Sequence, residues 1–162
     1  MSPEPADSAL GGPDGVTVPV RLLGASARLP ARAYEHDAAY DLHAAEALVI
    51  EPLARAVVGT GVVLGLPPGL AALTLPRSGL AARHGISLVN APGLIDPGYR
   101  GEVRVILLNT DRDEAFHVAV GDRIAQLLFL PLTKVGLAAI AELGQTERGP
   151  QGFGSSGRGE RA

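Results

Sequence analysis

The chain has 162 residues, a formal net charge of −3 at pH 7 and no cysteine. The lack of cysteine excludes a disulfide framework and the usual zinc-finger ligand sets, and the net negative charge argues against binding to a nucleic-acid backbone. Hydrophobic residues make up 46% of the chain but include only three Tyr and three Phe, so we expect aliphatic side chains to fill the core.

In chain order, the pattern predicts an all-β domain between two polar ends. Residues 1–15 are rich in Pro and Gly and predict a flexible N-terminal arm. Residues 16–145 hold short apolar runs closed by Gly or Pro, which is typical of a sandwich or barrel. The predicted strands are 16–23, 47–50, 56–66, 70–75, 86–89, 103–109, 115–120 and 124–132, with turn signals at 59–61, 67–69, 91–93 and 96–98.

One short helix is predicted near 78–83, with Ser78 as its N-cap. Residues 146–162 return to Gly, Ser and Arg and predict a tail. No basic segment precedes an apolar run, and no stretch of about 18 apolar residues occurs. We therefore expect a cytoplasmic protein with no membrane or nucleic-acid partner.

Arg77, Ser78 and Gly79 stand where a predicted strand turns into the helix. Backbone N–H groups at a helix start favour an anion, and a guanidinium adds a planar fork for phosphate oxygens. The same three residues are equally typical of a capped helix with a surface arginine.

Asn90, Asp96 and Tyr99 flank a tight turn between two apolar runs. Asp before Pro-Gly is a common turn builder. An amide that both donates and accepts, a carboxylate and an aromatic ring on one hairpin also suit a base, a sugar hydroxyl and a sugar ring.

The C-terminal segment from Arg148 to residue 157 is rich in glycine and contains Phe153. Glycines let a backbone approach phosphates closely, and an exposed Phe suggests a stacking partner. A plain linker is the alternative. Asp41, Arg123 and Gln126 are weaker candidates, since each suits a solvated or outward-facing position.

Taken in chain order, the segments around Asp41, Arg77, Asp96, Gln126 and Arg148 resemble the five motifs of the homotrimeric deoxyuridine triphosphatase family. The resemblance extends over residues 34–157. The resemblance implies a jelly-roll β-barrel, a homotrimer with active sites built from three chains, and hydrolysis of dUTP to dUMP and pyrophosphate with Mg²⁺. That reaction keeps uracil out of DNA and supplies dUMP for thymidylate synthesis. Two positions depart from the family pattern, because Ala39 and Gln151 stand where glycines are usual.

The resemblance also implies a role for each motif residue. Asp96 would orient and deprotonate the attacking water and contact the sugar 3′-hydroxyl, and Tyr99 would exclude a 2′-hydroxyl. Asp41 would contact Mg²⁺ only through water. The implied uracil-reading residues are Asn90, Leu94, Ile95 and Arg104, the implied phosphate-side residues are Arg77, Ser78, Gly79, Gln126 and Arg148, and the implied closing residues are Phe153, Gly154, Ser155 and Ser156.

Three alternatives remain open. A deoxycytidine triphosphate deaminase of the same fold would need a further acid/base carboxylate near the pyrimidine, and the sequence offers no clear candidate. A non-catalytic nucleotide-binding regulatory trimer is the second. A structural β-domain whose motifs are only turns is the third.

Overall fold

A computed structural model gives the architecture of the protein and describes residues 11–12 and 15–150. The helix is α1 (Ser78–His84). The strands are β1 (Gly11–Gly12), β2 (Gly15–Val16), β3 (Val20–Leu22), β4 (Tyr40–His43), β5 (Leu48–Ile50), β6 (Arg55–Leu64), β7 (Leu70–Leu75), β8 (Ile86–Leu88), β9 (Gly93–Ile95), β10 (Glu102–Asn109), β11 (Phe116–Val118) and β12 (Arg123–Pro131).

Two antiparallel four-stranded sheets form the body of the fold. Their strand orders are β3-β6-β10-β8 and β4-β12-β7-β9, and two-stranded pairs β11-β5 and β1-β2 complete the set. The sheets share one aliphatic core, in which Val58 and Val105 of the first sheet and Leu42 and Leu127 of the second are almost completely buried. The predicted all-β fold with one short helix is thereby confirmed, although its strands form separate sheets and not one closed ring.

Most predicted strands form within a few residues of their expected bounds, but β1, β4 and β9 were not predicted. β4 carries the polar residues Asp41 and His43, which hid its strand character, and β9 is a three-residue strand that begins at Gly93, the last residue of a predicted turn. The turns at 67–69 and 96–98 form, with Leu70 N–H donating to Pro67 O and Tyr99 N–H donating to Asp96 O.

Two local predictions were wrong. Residues 59–61 do not form a turn but lie inside β6, where the register with β10 shifts. Ser78 is not the N-cap of α1, because Arg77 occupies that position with an extended backbone and no side-chain cap bond. Ser78 is instead the first helical residue.

Ala39 causes no backbone strain. Among the described residues, Leu53 is the only one other than glycine with a positive φ. Ala39 therefore has a backbone conformation that an L residue adopts readily.

Residues 132–150 follow β12 in an exposed path that contains neither strand nor helix. Of the predicted N-terminal arm, residues 1–10, 13 and 14 lie outside the described part of the chain, and residues 11–12 and 15 belong to β1 and β2. No helix among the described residues is long and apolar enough to cross a membrane.

Candidate functional site

A cavity of about 220 Å³ lies where β9, the turn that follows it and the start of β10 meet. It brings together six residues that the sequence singled out, namely Asn90, Leu94, Ile95, Asp96, Tyr99 and Arg104. Thr74, Gly93, Glu102 and Val103 complete its lining. The predicted grouping of an amide, a carboxylate and an aromatic ring around one pocket is therefore present in the fold.

The position of β9 depends on a close backbone approach at Gly93. Gly93 lies opposite Thr74 in the β7–β9 pair, and the Thr74 hydroxyl donates to Gly93 O at 3.4 Å. A Cβ at this position would overlap the Thr74 hydroxyl and the Asn90 side-chain amide. Glycine is thus required here to let Asn90 reach the cavity wall.

The turn after β9 presents Asp96 and Tyr99 on the rim of the cavity. Asp96 is exposed, and Tyr99 is 46% exposed with its hydroxyl donating to the backbone O of Glu102 at 3.0 Å. The Tyr99 ring lies against the backbone at Gly101, where any Cβ would collide with it. The hydroxyl end of the ring is therefore held in place, and the Asp96 carboxylate is open to a ligand or a water molecule.

Arg104 projects from the exposed face of β10, as its alternation predicts. Its guanidinium lies 3.7 Å from Glu46 Oε1 and 3.8 Å from Glu102 Oε2. Sequence reasoning did not single out Thr74, Glu46 or Glu102. The signal for Glu102 was present, because Glu102 and Arg104 are two apart on one strand and so share a face.

A second cluster centres on Asp41 of β4, which is 6% exposed. Its Oδ1 lies 3.2 Å from Arg77 Nε, and its Oδ2 lies 3.3 Å from Arg123 Nη1. Arg77 also donates to the backbone O of Arg123 at 3.0 Å. Gln126 of β12 lies directly opposite Asp41, and Ser78 begins the helix after Arg77. Two guanidiniums against one carboxylate leave a net positive charge that suits an anion.

His43 lies beside this second cluster. Burial lowers the pKa of His43, and the positive charges of Arg28, Arg123 and Arg77 lower it further, with Asp41 opposing them. Its Nδ1 is buried without a hydrogen-bond partner. His43 therefore favours the neutral form and adds no cation to the cluster at neutral pH.

The two groups do not meet within one chain. Asp41, Arg77, Ser78, Gly79 and Gln126 are absent from the lining of the 220 Å³ cavity. Arg148 lies in the exposed segment after β12. Phe153, Gly154, Ser155 and Ser156 lie outside the described residues.

Within the described ranges, no group of three His, Asp or Glu side chains is arranged to hold a metal ion. A divalent cation at this site would need most of its ligands from a bound anion and from water. A larger cavity of about 630 Å³ lies elsewhere, between residues 16–20, 29–40 and the β12 face at Phe129. Its lining is mostly apolar and contains none of the predicted site residues.

Comparison with known proteins gives consistent matches. The dUTPase family model matches residues 25–157. The deoxyuridine 5′-triphosphate nucleotidohydrolase of Leifsonia xyli is 51% identical over 144 residues, covering 89% of this chain and 92% of its own length. The protein of the same name from Tropheryma whipplei is 48% identical and covers 86% of this chain and 95% of its own length.

Solved structures give the same match. A mutant dUTPase of Staphylococcus bacteriophage 80alpha with dUpNHpp has a TM-score of 0.82 and 31% sequence identity, covering 87% of this chain and 98% of that chain. A mutant dUTPase from phage phi11 of S. aureus, which coordinates a structural Mg(II) ion, has a TM-score of 0.73 and 28% identity, covering 78% of this chain and 97% of that chain.

Proposed function

The chain belongs to the dUTPase family, and we propose that it hydrolyses dUTP to dUMP and pyrophosphate with Mg²⁺. The observation that carries this function is the 220 Å³ cavity, which gathers Asn90, Asp96 and Tyr99 in a chain that matches the family along most of its length. An amide, a carboxylate and an aromatic ring are the groups that a base, a sugar hydroxyl and a sugar ring require.

Asp96 supplies the base. Its exposed carboxylate can orient a water molecule and take a proton from it as the water oxygen attacks the α-phosphorus. The bond from the α-phosphorus to the bridging oxygen breaks, and pyrophosphate leaves with that oxygen. The proton moves from Asp96 to solvent, which restores the carboxylate for the next cycle.

Tyr99 excludes ribonucleotides by sterics. Its ring is held by the hydroxyl bond to Glu102 O and by contact with Gly101, so it cannot retreat from a sugar placed against it. Asn90, with the backbone of Leu94 and Ile95, offers both donors and acceptors to the uracil edge. A mismatched exocyclic group would leave these polar groups unpaired beneath the bound base, which is a strong source of selectivity.

Arg77, Ser78, Gly79 and Gln126 hold the phosphates in this proposal. The excess of guanidinium charge around Asp41 is the supporting observation. Mg²⁺ neutralises phosphate charge when it binds with the nucleotide. Both carboxylate oxygens of Asp41 already face guanidiniums, so a water-mediated contact to the ion is the arrangement that these residues fit.

A homotrimer is the assembly that we propose, with the Arg77 cluster of one subunit placed beside the cavity of another. The separation of the two groups within a single chain supports it. Residues 132–150 also expose large apolar side chains, among them Leu137 at 97% and Leu143 at 84%. Exposed apolar side chains in such number are typical of a surface that a second subunit covers.

The proposed organisation has three parts: an arm at residues 1–15, a hydrolase domain at 16–145 and a tail at 146–162 that closes over the site. In the tail, Arg148 would reach the γ-phosphate and Phe153 would stack on uracil. Gly154, Ser155 and Ser156 would then close over the phosphates. The proposed location is the cytoplasm.

The deaminase alternative can be compared with the same geometry. Glu102 is the further carboxylate at the cavity, but its Oε1 accepts the Gly61 N–H at 2.7 Å and its Oε2 faces Arg104. A carboxylate whose Oε1 is committed to a backbone N–H of β6 is a poor proton shuttle. The geometry therefore favours hydrolysis over deamination.

The test is a nucleotide panel with Mg²⁺, in which pyrophosphate and ammonia are measured for dUTP, dCTP, dTTP and UTP. We expect pyrophosphate from dUTP far in excess of the other three. Equal pyrophosphate release from dCTP would contradict the uracil-reading site, and ammonia from dCTP would indicate a deaminase. Tight dUTP binding without turnover would indicate the regulatory alternative.

A further inference from the structure

The turn that carries Asp96 and Tyr99 lies outside the hydrophobic core. The core holds the chain only just before and just after the turn, where Ile95 is 7% exposed and Val103 is 2% exposed. Gly98 is exposed at the tip, and a Cβ built there would meet no described atom within 4 Å beyond its chain neighbours. Burial therefore does not fix the Asp96 carboxylate and the Tyr99 ring, so their positions depend on polar contacts within the turn.

Arg100 supplies two of these polar contacts. Its Nη1 donates to Pro97 O at 2.5 Å and to Tyr99 O at 3.0 Å. A guanidinium is a rigid planar fork of donors, and its charge makes each bond to a carbonyl oxygen stronger than a neutral one. Because Pro97 and Tyr99 flank Gly98, the two bonds join the residues on either side of the most flexible position in the turn.

Two further hydrogen bonds complete the internal support of the turn. The Tyr99 N–H donates to Asp96 O at 3.1 Å, and the Tyr99 hydroxyl donates to Glu102 O at 3.0 Å. Of these four bonds, the two from Arg100 come from a side chain other than Asp96 and Tyr99. A substitution at Arg100 therefore weakens the support and leaves both functional side chains intact.

Arg100 acts on the turn from outside the candidate site. Its side chain is not part of the lining of the 220 Å³ cavity. It lines a separate cavity of about 370 Å³, together with Arg21 of β3 and Val63 of β6. Arg100 is thus placed to affect a bound nucleotide through Asp96 and Tyr99 and not by direct contact.

Both roles assigned to the turn need a fixed backbone. A general base must lie within hydrogen-bond reach of the water that it activates, and a displacement of about 1 Å can lower the rate about a hundredfold. An aromatic ring excludes a 2′-hydroxyl only where the backbone that carries it does not yield. One support can therefore serve both the rate and the choice of sugar.

We propose that Arg100 is a positioning residue, which ties Pro97 to Tyr99 and so holds the Asp96 carboxylate and the Tyr99 ring in fixed positions at the cavity. This inference rests on the proposed function, since it concerns how the same site acts on dUTP. It assigns a role to an exposed arginine that does not line the cavity.

The primary test is Arg100→Met, which keeps an apolar stem and removes the donors. We expect kcat for dUTP to fall about tenfold, because the base is less well placed, and the dUTP:UTP ratio of kcat/KM to fall at least about threefold. Arg100 is exposed, so the melting temperature should change by less than about 4 °C. An unchanged kcat and an unchanged dUTP:UTP ratio would overturn the inference.

Two further variants show whether the carbonyl contacts are responsible. Arg100→Lys keeps a charged donor that can reach a carbonyl oxygen, so it should recover part of both losses. Arg21→Met removes the other arginine of the 370 Å³ cavity and should leave kcat within about twofold. Equal losses in Arg21→Met and Arg100→Met would mean that positive charge near the site is responsible, and would overturn the positioning role.

A double variant tests whether Arg100 acts through Asp96. In an Asp96→Asn background the base is already absent, so Arg100→Met should cause no further fall in kcat. A full tenfold fall in that background would show that Arg100 acts on the rate by another route, and would overturn the proposal.

Failure of the proposed function is a different result. It would appear as an unmodified chain that does not release pyrophosphate from dUTP in preference to the other nucleotides. If the unmodified chain does prefer dUTP and Arg100→Met matches it in kcat and in the dUTP:UTP ratio, only the role of Arg100 is overturned.

Discussion

Arg77 Nε lies 3.2 Å from Asp41 Oδ1, and this ion pair joins the end of β7 to β4 across β12. Arg123 approaches the other carboxylate oxygen at 3.3 Å. Asp41 is 6% exposed, whereas the side chains of Arg77 and Arg123 are 25% and 50% exposed. Breaking the ion pairs would therefore cost the buried carboxylate more stabilisation than it would cost the two guanidiniums, which can bind water instead. The pair fixes Arg77 before any ligand arrives.

Replacing Asp41 should therefore destabilise the fold in a way that depends on Arg77. We expect Asp41→Ala to lower the free energy of unfolding by about 2 kcal/mol, because two ion pairs to a buried carboxylate are lost while the guanidiniums can still reach water. In an Arg77→Met background the loss should be about 1 kcal/mol smaller. Urea unfolding of the unmodified chain, the two single variants and the double variant, all at one protein concentration, measures this coupling. Additive losses of stability would show that the Arg77–Asp41 pair does not contribute to stability.

The sequence predicted the residues of the candidate site better than the strands that bring them together. Asn90, Asp96 and Tyr99 could be picked out because polar residues beside tight turns in an apolar chain are conspicuous, whereas Arg104 was named only through the family resemblance. Their meeting in one cavity depends on β9, which the sequence did not reveal because a three-residue strand that begins at the glycine of a Pro-Gly pair shows no periodicity.

The segment 59–61 is a second place where the sequence alone predicted the wrong structure. Two glycines around a threonine are typical of a turn, yet these residues continue β6 because the carboxylates of Glu46 and Glu102 satisfy the interrupted ladder. Glu46 is 13 positions from Gly59, and Glu102 is 41 positions from Gly61. Local sequence preferences cannot reveal contacts between residues that lie so far apart in the chain.

Asp96→Asn should separate binding from chemistry. Asparagine keeps a carbonyl oxygen for the sugar hydroxyl but cannot take a proton from water, so we expect kcat for dUTP to fall at least about a hundredfold, the usual size of a general-base contribution. The dissociation constant of a non-hydrolysable dUTP analogue, measured by calorimetry, should change little. Asp113→Asn, an exposed carboxylate between β10 and β11, is the control. Near-normal turnover in Asp96→Asn would remove Asp96 from the role of base.

Asn109 should be a stability residue and not a site residue. It is fully buried at the end of β10, where its Nδ2 donates to Ile50 O at 3.1 Å and to Glu114 O at 2.8 Å, and its Oδ1 accepts the Asp111 N–H. Asn109→Ala leaves these groups without partners, and we expect a loss of about 3 kcal/mol in the free energy of unfolding. The neighbouring exposed Thr110→Ala should cost less than about 1 kcal/mol. Equal losses from the two variants in urea would contradict this assignment.

Asp111 should make stability depend on acid pH. Its Oδ1 accepts the N–H groups of Asp113 and Glu114, and these bonds lower its pKa below the ordinary value of 3.8. A carboxyl with a lowered pKa in the folded state stabilises the fold fully above its unfolded pKa, and that contribution is lost as the pH falls through the folded pKa.

Asp111→Asn tests this dependence, because asparagine still accepts hydrogen bonds but does not titrate. We expect the unmodified chain to be more stable than the variant at about pH 6, with the difference shrinking as the pH falls towards about 3. Thermal unfolding across that range provides the measurement. A difference that stays constant with pH would mean that ionisation of Asp111 is not coupled to folding.

Deleting residues 146–162 should remove activity without unfolding the domain. The buried core draws on strands no later than β12, so the melting temperature and the sedimentation coefficient should stay close to those of the full chain. Activity depends on the tail in our proposal, through the γ-phosphate contact of Arg148 and the stacking of Phe153. A charge-assisted hydrogen bond and one stacked base each contribute about 1–3 kcal/mol, so kcat/KM for dUTP should fall at least about a hundredfold.

A shorter deletion provides the matched control for the tail. Removing residues 158–162 takes away only residues beyond the family match, which ends at residue 157, and should leave kcat/KM within about twofold. Phe153→Leu in the full chain keeps an apolar side chain but loses the ring, and we expect about a tenfold loss because stacking alone is removed. Full activity after deletion of 146–162 would make the tail a linker, and equal losses from both deletions would place the essential residues after 157.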